Sequence, residues 1–339
     1  MRKRKTNALV IGVSNREFVN ILLTYYPRGL NENFDVYLFI DKKKVTIDQV
    51  KEVISNHDVE LFNNATYVIV SDVYDHYTQK FGYEGKAKDM LYNHGCIFKI
   101  LAPTYLKEKF GVTRVYTSDD DVFIFNDLSY MFEKYEGFAI KKENLFNFKN
   151  KDKYEVLAAY NEIFGTNFSL EQMNSLSVNA GNVIYGDDPD MEEYVRKFIN
   201  HPMVHHLYYN FDGYVSWTVE QRWQHFNLHR LRAEGKPADL LDSKDLRLMQ
   251  NIDKEALANG TQPTYLKQVT PSLLHYAIGT KKPIFLRQFL QGIEWKFGFR
   301  YVPKYELKDI LYDETWRPPA FKDVQKQIKG TSKKAAPVF

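Results

Sequence analysis

Cysteine is nearly absent from this sequence, and long apolar runs are absent altogether. Cys96 is the only cysteine among 339 residues, which excludes an intramolecular disulfide framework. No apolar stretch approaches the roughly 20 residues needed to cross a bilayer. The apolar run after residues 1–5 is too short for a secretory signal. We therefore expect a cytoplasmic protein without a transmembrane segment.

Two glycine-rich phosphate-binding motifs are also missing. No Gly-x-Gly-x-x-Gly and no Gly-x-x-x-x-Gly-Lys-Ser/Thr occurs in the chain, which argues against an NAD-binding Rossmann unit and against a P-loop. Charge of one sign does not dominate either, because 46 Lys and Arg stand against 43 Asp and Glu, for a net charge of +3. This near balance is not typical of a dedicated nucleic-acid-binding domain.

The sequence does contain buried strands that alternate with helices. Apolar runs predict strands at 8–13, 35–40 and 66–70, and apolar residues at helical spacing predict a helix around 47–53. Strands without polar alternation are typical of a parallel sheet covered on both faces. We therefore expect an α/β fold with a doubly wound, mostly parallel sheet. Ser14 and Asn15 follow the first strand, where they can cap a helix.

Three consecutive carboxylates, Asp119, Asp120 and Asp121, lie between the apolar segments 115–118 and 122–125. Adjacent carboxylates repel and Asp is disfavoured in strands, so packing does not account for them. If both flanks are strands, the acids lie at the carboxyl edge of the sheet, where open α/β sheets bind ligands. Asp119 and Asp121 would suit Mg²⁺ or Mn²⁺. The alternative is a solvated acidic turn, and in either case removing one charge should leave the fold intact.

This segment resembles the Asp-x-Asp motif of nucleotide-sugar glycosyltransferases with the GT-A fold. Its pattern is aliphatic-Tyr-x-x-Asp-x-Asp-aliphatic, followed shortly by Asn126-Asp127. Further motifs in the same order resemble glycosyltransferase family 8, and together they cover roughly residues 8 to 285. These motifs are Lys99 on an expected helix from about His94 to Lys109, the strand segment Asn179-Ala180-Gly181, and His275 to Pro283.

The resemblance implies a UDP-sugar donor and a Mn²⁺ or Mg²⁺ ion that bridges Asp119, Asp121, His275 and the diphosphate. Lys99 stands where the family has an Arg that reaches this diphosphate, so the charge is kept without the bidentate fork. A solvent-facing helical lysine is the alternative. One extra residue between His275 and Gly279 leaves open whether Lys281 or Lys282 reaches the phosphates. The donor-binding residues implied in this way are Ser14, Asn15, Lys99, Asp120, Asn179, Ala180, Gly181, Gly279, Lys281 and Lys282.

Two short motifs are expected to face the sugar. In the first, Ala180 and Gly181 let the backbone approach closely and Asn179 offers a donor and an acceptor to hydroxyls. A glycine bulge is the alternative. In the second, Glu220 and Gln221 resemble the Asp-Gln pair whose Gln faces the reacting carbon. An exposed polar helix turn is the alternative to that interpretation.

The resemblance implies a hexosyl- or pentosyltransferase that retains the anomeric configuration, with Gln221 beside the oxocarbenium-like centre. If the enzyme inverts, Glu220 is the better general base. The expected acceptor is a glycan or lipid-linked sugar, and the basic C-terminal segment could contact an anionic membrane surface. A hydroxymethylated DNA base is a second candidate, because aromatic and cationic residues interleave at 205–232. A non-catalytic nucleotide-sugar-binding protein is a third.

The expected domain organisation is simple. We predict one GT-A domain over about residues 5 to 300, with an acceptor-side insertion at about 141 to 177. Residues 301–339 are predicted to be a basic, partly extended tail, because they lack apolar periodicity.

Overall fold

The computed structural model describes residues 6–13, 34–57, 62, 64–119, 122–124, 128–143, 153–174, 177–210, 219–242, 245–248 and 273–275. The predicted tail at 301–339 lies outside these ranges, and the predicted domain limits stay a prediction. No helix among the described residues is long and apolar enough to cross a membrane.

The described strands and helices alternate along most of the chain. The strands are β1 (Asn7–Val13), β2 (Asp35–Ile40), β3 (Thr66–Ile69), β4 (Arg114–Ser118), β5 (Val122–Ile124), β6 (Phe138–Glu143), β7 (Ser177–Tyr185), β8 (Ala238–Leu240), β9 (Leu246–Leu248) and β10 (Leu273–His275). The helices are α1 (Ile47–His57), α2 (Val70–Phe81), α3 (Gly85–Asn93), α4 (Phe98–Phe110), α5 (Ser129–Lys134), α6 (Lys153–Phe164), α7 (Leu170–Asn174), α8 (Met191–Asn200), α9 (Pro202–Asn210) and α10 (Val219–Ala233).

Seven strands form the main sheet, in the order β3-β2-β1-β4-β7-β6-β8. β3, β2, β1 and β4 pair in parallel, as do β6 and β8, whereas β7 runs antiparallel to both β4 and β6. The predicted mostly parallel α/β sheet is confirmed. β4 is the central strand, so Asp119, which follows it directly, lies at the middle of the sheet.

Both faces of this sheet are covered, as its strand sequences require. In β1, Ala8 and Val10 pack into one buried cluster, while Leu9, Ile11 and Val13 pack into the other. In β2, five of the six residues are buried. A strand buried on both faces needs apolar residues at consecutive positions, which explains the continuous runs in the sequence.

The helix before β4 begins later than predicted. α4 starts at Phe98, because His94 to Ile97 form a turn in which the Ile97 amide donates to the His94 carbonyl at 3.3 Å. The helix ends at Phe110, where Gly111 takes a φ of +71° that favours glycine. The later start places His94 between two helices rather than inside one.

A second, smaller sheet brings residues 273–275 to β5, the strand that follows the acidic segment. β10 pairs antiparallel with β5 and parallel with β9. In this register His275 lies opposite Val122. Opposed residues in an antiparallel pair have Cα atoms about 5 Å apart, so the His275 backbone is next to the residue that follows Asp121.

Candidate functional site

Asp119 lies where the sequence places it, directly after the carboxyl end of β4. Its backbone N–H donates to the carbonyl of Gly181 at 2.8 Å, which extends the pairing of β4 with β7 by one residue. The Asp119 side chain is about one quarter exposed. The sheet edge at the end of the central strand therefore carries a partly accessible carboxylate.

Lys99 on α4 is buried and forms an ion pair with the Asp119 carboxylate. The predicted alternative of a solvent-facing lysine is therefore wrong. Burial opposes the charged form of Lys99, but the Asp119 carboxylate, with smaller contributions from Cys96 and Glu220, raises its pKa above the ordinary value. The ammonium is thus retained inside the site at neutral pH.

The Asn-Ala-Gly segment forms an irregularity in β7, next to Asp119. Pairing with β6 jumps from Ile140 opposite Val183 to Lys141 opposite Asn179. Residues 180–182 therefore have no partner in β6, and the Asn179 Oδ1 accepts the Gly181 N–H at 2.9 Å. The bulge that the sequence offered as an alternative is present. Bulges are common beside active sites because they re-aim the local backbone.

Glu220 and Gln221 lie at the start of α10, and both are buried. The predicted alternative of an exposed polar helix turn is therefore wrong. Glu220 Oε2 is 3.2 Å from His94 Nε2. Gln221 Nε2 has no hydrogen-bond partner among the described residues. A buried amide without a partner is costly to the fold and is free to bind a ligand.

Four residues of this site were not predicted from the sequence. They are His94, Cys96, Tyr185 and Gln224, whose side-chain amide donates to the Tyr185 hydroxyl at 2.8 Å. Burial raises the pKa of Cys96 to about 12. The Lys99 charge lowers this pKa, whereas Glu220 and Asp119 raise it further. Burial likewise raises the pKa of Tyr185. The thiol and the phenol are therefore neutral at neutral pH.

Several predicted site residues lie outside the described part of the chain. Among the described residues no cluster of three His, Cys, Asp or Glu side chains could hold a metal ion. The side chain of His275 is also outside that part, and only its place in β10 is given. The other residues outside are Ser14, Asn15, Asp120, Asp121, Gly279, Lys281 and Lys282.

In the stretch at 205–232, the described part of α10 is mostly buried. Trp223 is fully buried, and Arg230 is buried in an ion pair with Asp188. Tyr209, by contrast, is 42% exposed. Side chains packed in this way cannot stack on bases, so the main reason for considering DNA as the acceptor is weakened.

Three solved structures to which this chain is similar are glycosyltransferases. The bifunctional glycosyltransferase WbbM aligns with a TM-score of 0.51 at 13% identity, over 88% of this chain and 52% of its own. This chain therefore spans about half the length of WbbM. Mouse xyloside xylosyltransferase 1 aligns with a TM-score of 0.47 at 11% identity, over 82% and 99% of the two chains. The galactosyltransferase LgtC aligns with a TM-score of 0.43 at 12% identity, over 94% and 99%.

No protein-family model and no curated protein sequence matches the chain. The likeness to WbbM is therefore one of fold. The fold is that of the GT-A glycosyltransferases. In this GT-A chain, Asp119 lies at the carboxyl end of the central strand and pairs with Lys99, whose charge Glu220 also stabilises.

Proposed function

We propose that this protein is a metal-dependent glycosyltransferase that moves a sugar from a UDP-sugar to a hydroxyl acceptor with retention of configuration. One observation carries the proposal. Lys99, Asp119 and Glu220 come from three separate parts of the sequence, and their charges interact in one partly buried cluster at the carboxyl end of the central strand. Ligands of open α/β sheets bind at that edge.

The proposed donor site uses Lys99 as a cation for the diphosphate. An ammonium that stays charged inside the protein attracts the negative charge that develops on the leaving UDP. Asn179, Ala180 and Gly181 would contact the sugar from the β7 bulge. The remaining donor contacts proposed are Ser14, Asn15, Asp120, Gly279 and either Lys281 or Lys282.

The residues present fit a divalent cation. Asp119 and Asp121 offer hard oxygen ligands, and the pairing of β10 with β5 places the backbone of His275 opposite Val122. Asp119, Asp121 and His275 would hold Mn²⁺ or Mg²⁺. When bound, the ion would supply Lewis-acid stabilisation to the departing diphosphate. Lys99 already neutralises part of the Asp119 charge, so the two cations would share this carboxylate.

For the chemical step, we propose that Gln221 faces the reacting sugar carbon. Its Nε2 has no partner among the described residues, so the N–H can donate to a sugar oxygen while the amide oxygen faces the oxocarbenium-like centre. Glu220 precedes it on α10 and is held within the protein by His94. If the reaction inverts configuration, Glu220 becomes the candidate general base.

A glycan or lipid-linked sugar is the proposed acceptor. The burial of Trp223 and Arg230 weakens the DNA alternative. Contact of the basic C-terminal segment with a membrane surface, and a cytoplasmic location, stay predictions. A non-catalytic nucleotide-sugar-binding protein is the alternative from another class, and it differs in releasing no UDP.

The test is to incubate the protein with Mn²⁺ and a panel of UDP-sugars, with simple sugars in one arm and hydroxymethylated duplex DNA in another. We expect UDP release with a sugar acceptor, and its loss in EDTA and in Gln221→Ala. Lys107→Ala is the control, because its ion pair with Asp187 is half exposed and Lys107 lies about two helical turns from Lys99 on α4. Binding of UDP-sugars without release of UDP in any arm would refute catalysis. Full activity in EDTA would refute the metal.

A further inference from the structure

His94 and Glu220 form a buried pair that was not predicted from the sequence. The two residues are 126 positions apart in the chain, yet His94 Nε2 lies 3.2 Å from Glu220 Oε2. Their side chains are only 4% and 5% exposed. Water cannot easily solvate a carboxylate in such a position, so its partner within the protein determines where it points.

The backbone identifies which ring nitrogen of His94 carries the proton. The Cys96 N–H donates to His94 Nδ1 at 3.2 Å, so Nδ1 uses its lone pair as an acceptor. In a neutral imidazole the other nitrogen then bears the hydrogen. Nε2–H therefore faces the Glu220 carboxylate as a donor.

His94 is held by hydrogen bonds of its backbone and by a contact of its ring. The His94 amide donates to the Met90 carbonyl at 2.9 Å at the end of α3, and the His94 carbonyl accepts from the Tyr74 hydroxyl at 3.4 Å. The ring also lies against Tyr208, with centroids 5.5 Å apart. A donor held in this way can orient a carboxylate without moving itself.

The pair is at hydrogen-bond distance but does not meet hydrogen-bond geometry. Glu220 Oε2 and His94 Nε2 each have no well-aligned hydrogen bond among the described residues. Bonds of this kind are often long or bent in free enzymes and tighten in the complex with substrate.

We propose that His94 is a positioning residue, which orients the Glu220 carboxylate beside Gln221 through an Nε2–H donor. The proposal rests on the glycosyltransferase function argued above. His94 touches neither donor nor acceptor in this role, and it acts through Glu220. Its loss therefore affects the chemical step more than substrate binding.

The kinetic test compares two substitutions. His94→Leu removes the donor, and His94→Gln keeps an N–H close to the Nε2 position. We expect kcat for sugar transfer to fall about 10- to 100-fold in His94→Leu with KM for the donor changed less than threefold, because a displaced Glu220 would shift the helix start that carries Gln221. We expect His94→Gln to recover most of kcat. Equal losses in both variants, or wild-type kcat in His94→Leu, would overturn the proposal.

A matched control separates this role from general histidine effects. His76 Nε2 lies 3.1 Å from Glu108 Oε2, in a more exposed His-Glu pair on α2 and α4. His76→Leu should leave kcat and KM at wild-type values. If it lowers kcat as much as His94→Leu does, the effect on kcat comes from helix packing and the proposal fails.

A second readout does not depend on activity. In protein with ¹⁵N-labelled histidine, the resonances missing from His94→Gln belong to His94. We expect them to show a proton on Nε2 and none on Nδ1, and to shift in Glu220→Gln but not in Glu108→Gln. A proton on Nδ1, or no response to Glu220→Gln, would overturn the proposal even if His94→Leu folds poorly.

The two hypotheses fail in different ways. If the wild type transfers no sugar from any donor, the glycosyltransferase function fails, and the positioning role falls with it whatever the tautomer. If the wild type transfers sugar but His94→Leu is fully active, only the positioning role fails.

Discussion

Lys99 and Asp119 are the residues whose charges depend most on each other. Lys99 is buried, and the Asp119 carboxylate is the acid paired with it. Removing the acid leaves an ammonium inside the protein without its counter-charge. The expectation from sequence, that removing one charge from the acidic segment leaves the fold intact, therefore does not apply to Asp119.

We predict that Asp119→Ala lowers the free energy of unfolding by about 3 kcal/mol, the cost of breaking a buried pair. The double variant Asp119→Ala/Lys99→Met should regain most of it, because no unpaired charge remains. Urea unfolding measures both. Asp187→Ala is the control, since its pair with Lys107 is half exposed and should cost less than about 1 kcal/mol. Wild-type stability in Asp119→Ala would show that Lys99 finds another partner.

His229 is a single residue that makes the stability of the fold depend on pH. Burial, with a smaller contribution from Arg232, lowers the pKa of His229 from 6.5 to about 4. The unfolded chain therefore binds a proton that the folded chain does not. Stability from this group is complete above pH 6.5 and is lost as the pH falls from 6.5 towards 4.

The variant His229→Gln lacks this titration. Between pH 7.5 and pH 5, the wild type should lose about 1 kcal/mol more unfolding free energy than the variant does, after allowance for partial exposure. Urea titrations at the two pH values measure the difference. Equal losses in the two proteins would show that His229 titrates normally in the fold.

At the scale of elements, the contact between β1 and the start of α4 positions Lys99. A Cβ at Gly12 would lie 2.4 Å from Cζ of Phe98, the residue before Lys99. The Phe98 ring is stacked on Phe39, with centroids 5.5 Å apart, so it has little room to move. Glycine at position 12 therefore lets α4 approach the sheet.

We predict that Gly12→Ala destabilises the protein by about 1 to 3 kcal/mol through overpacking. It should also lower transfer activity, because the displaced helix start carries Lys99. In a Phe98→Leu background, the same substitution should cost clearly less, since the clashing ring is gone. Thermal unfolding of the four proteins forms the test. Equal costs in both backgrounds would contradict this account of the contact.

The strands were predictable from sequence where burial on both faces made their apolar runs continuous. β2 was predicted at the residues observed, and the predicted strand segment Asn179-Ala180-Gly181 lies within β7. The antiparallel direction of β7 was not predictable, because direction depends on partners distant in sequence. α2 and α3 were not predicted, and the start of α4 was placed four residues early. Turn residues with local i to i+3 bonds, such as Cys96 and Ile97, fit the same helical pattern.

The candidate site was predictable to different depths. Asp119 was predicted because core packing does not account for three adjacent acids. Lys99 was predicted because the resemblance to family 8 places a cation on the helix before them. His94 gave no signal, because a lone histidine beside a cysteine has no motif and its partner Glu220 is distant in sequence. Tyr185 and Gln224 were missed for the same reason. Contacts between distant segments show that these side chains belong to the site, and the local sequence around each of them does not.

At the scale of the whole molecule, strand pairing brings two distant segments of the chain, 122–124 and 273–275, together. β10 brings His275 opposite Val122, about 150 residues away, through strand pairing that is independent of any ligand. If His275 is a metal ligand, the ion would link β10 to the acidic segment. Removing it should therefore weaken binding of the metal and of UDP together.

We predict that His275→Ala binds Mn²⁺ in the presence of UDP at least tenfold more weakly than the wild type, because loss of a metal ligand or its support costs about 10- to 100-fold in affinity. Lys282→Ala should bind more nearly like the wild type, since the metal would partly compensate for a lost phosphate contact. Calorimetric titration of Mn²⁺ into each variant with UDP measures both. If His275→Ala binds like the wild type while Lys282→Ala does not, then His275 is a structural residue of β10. The extra residue before Gly279 would then have moved the phosphate contacts to the lysines alone.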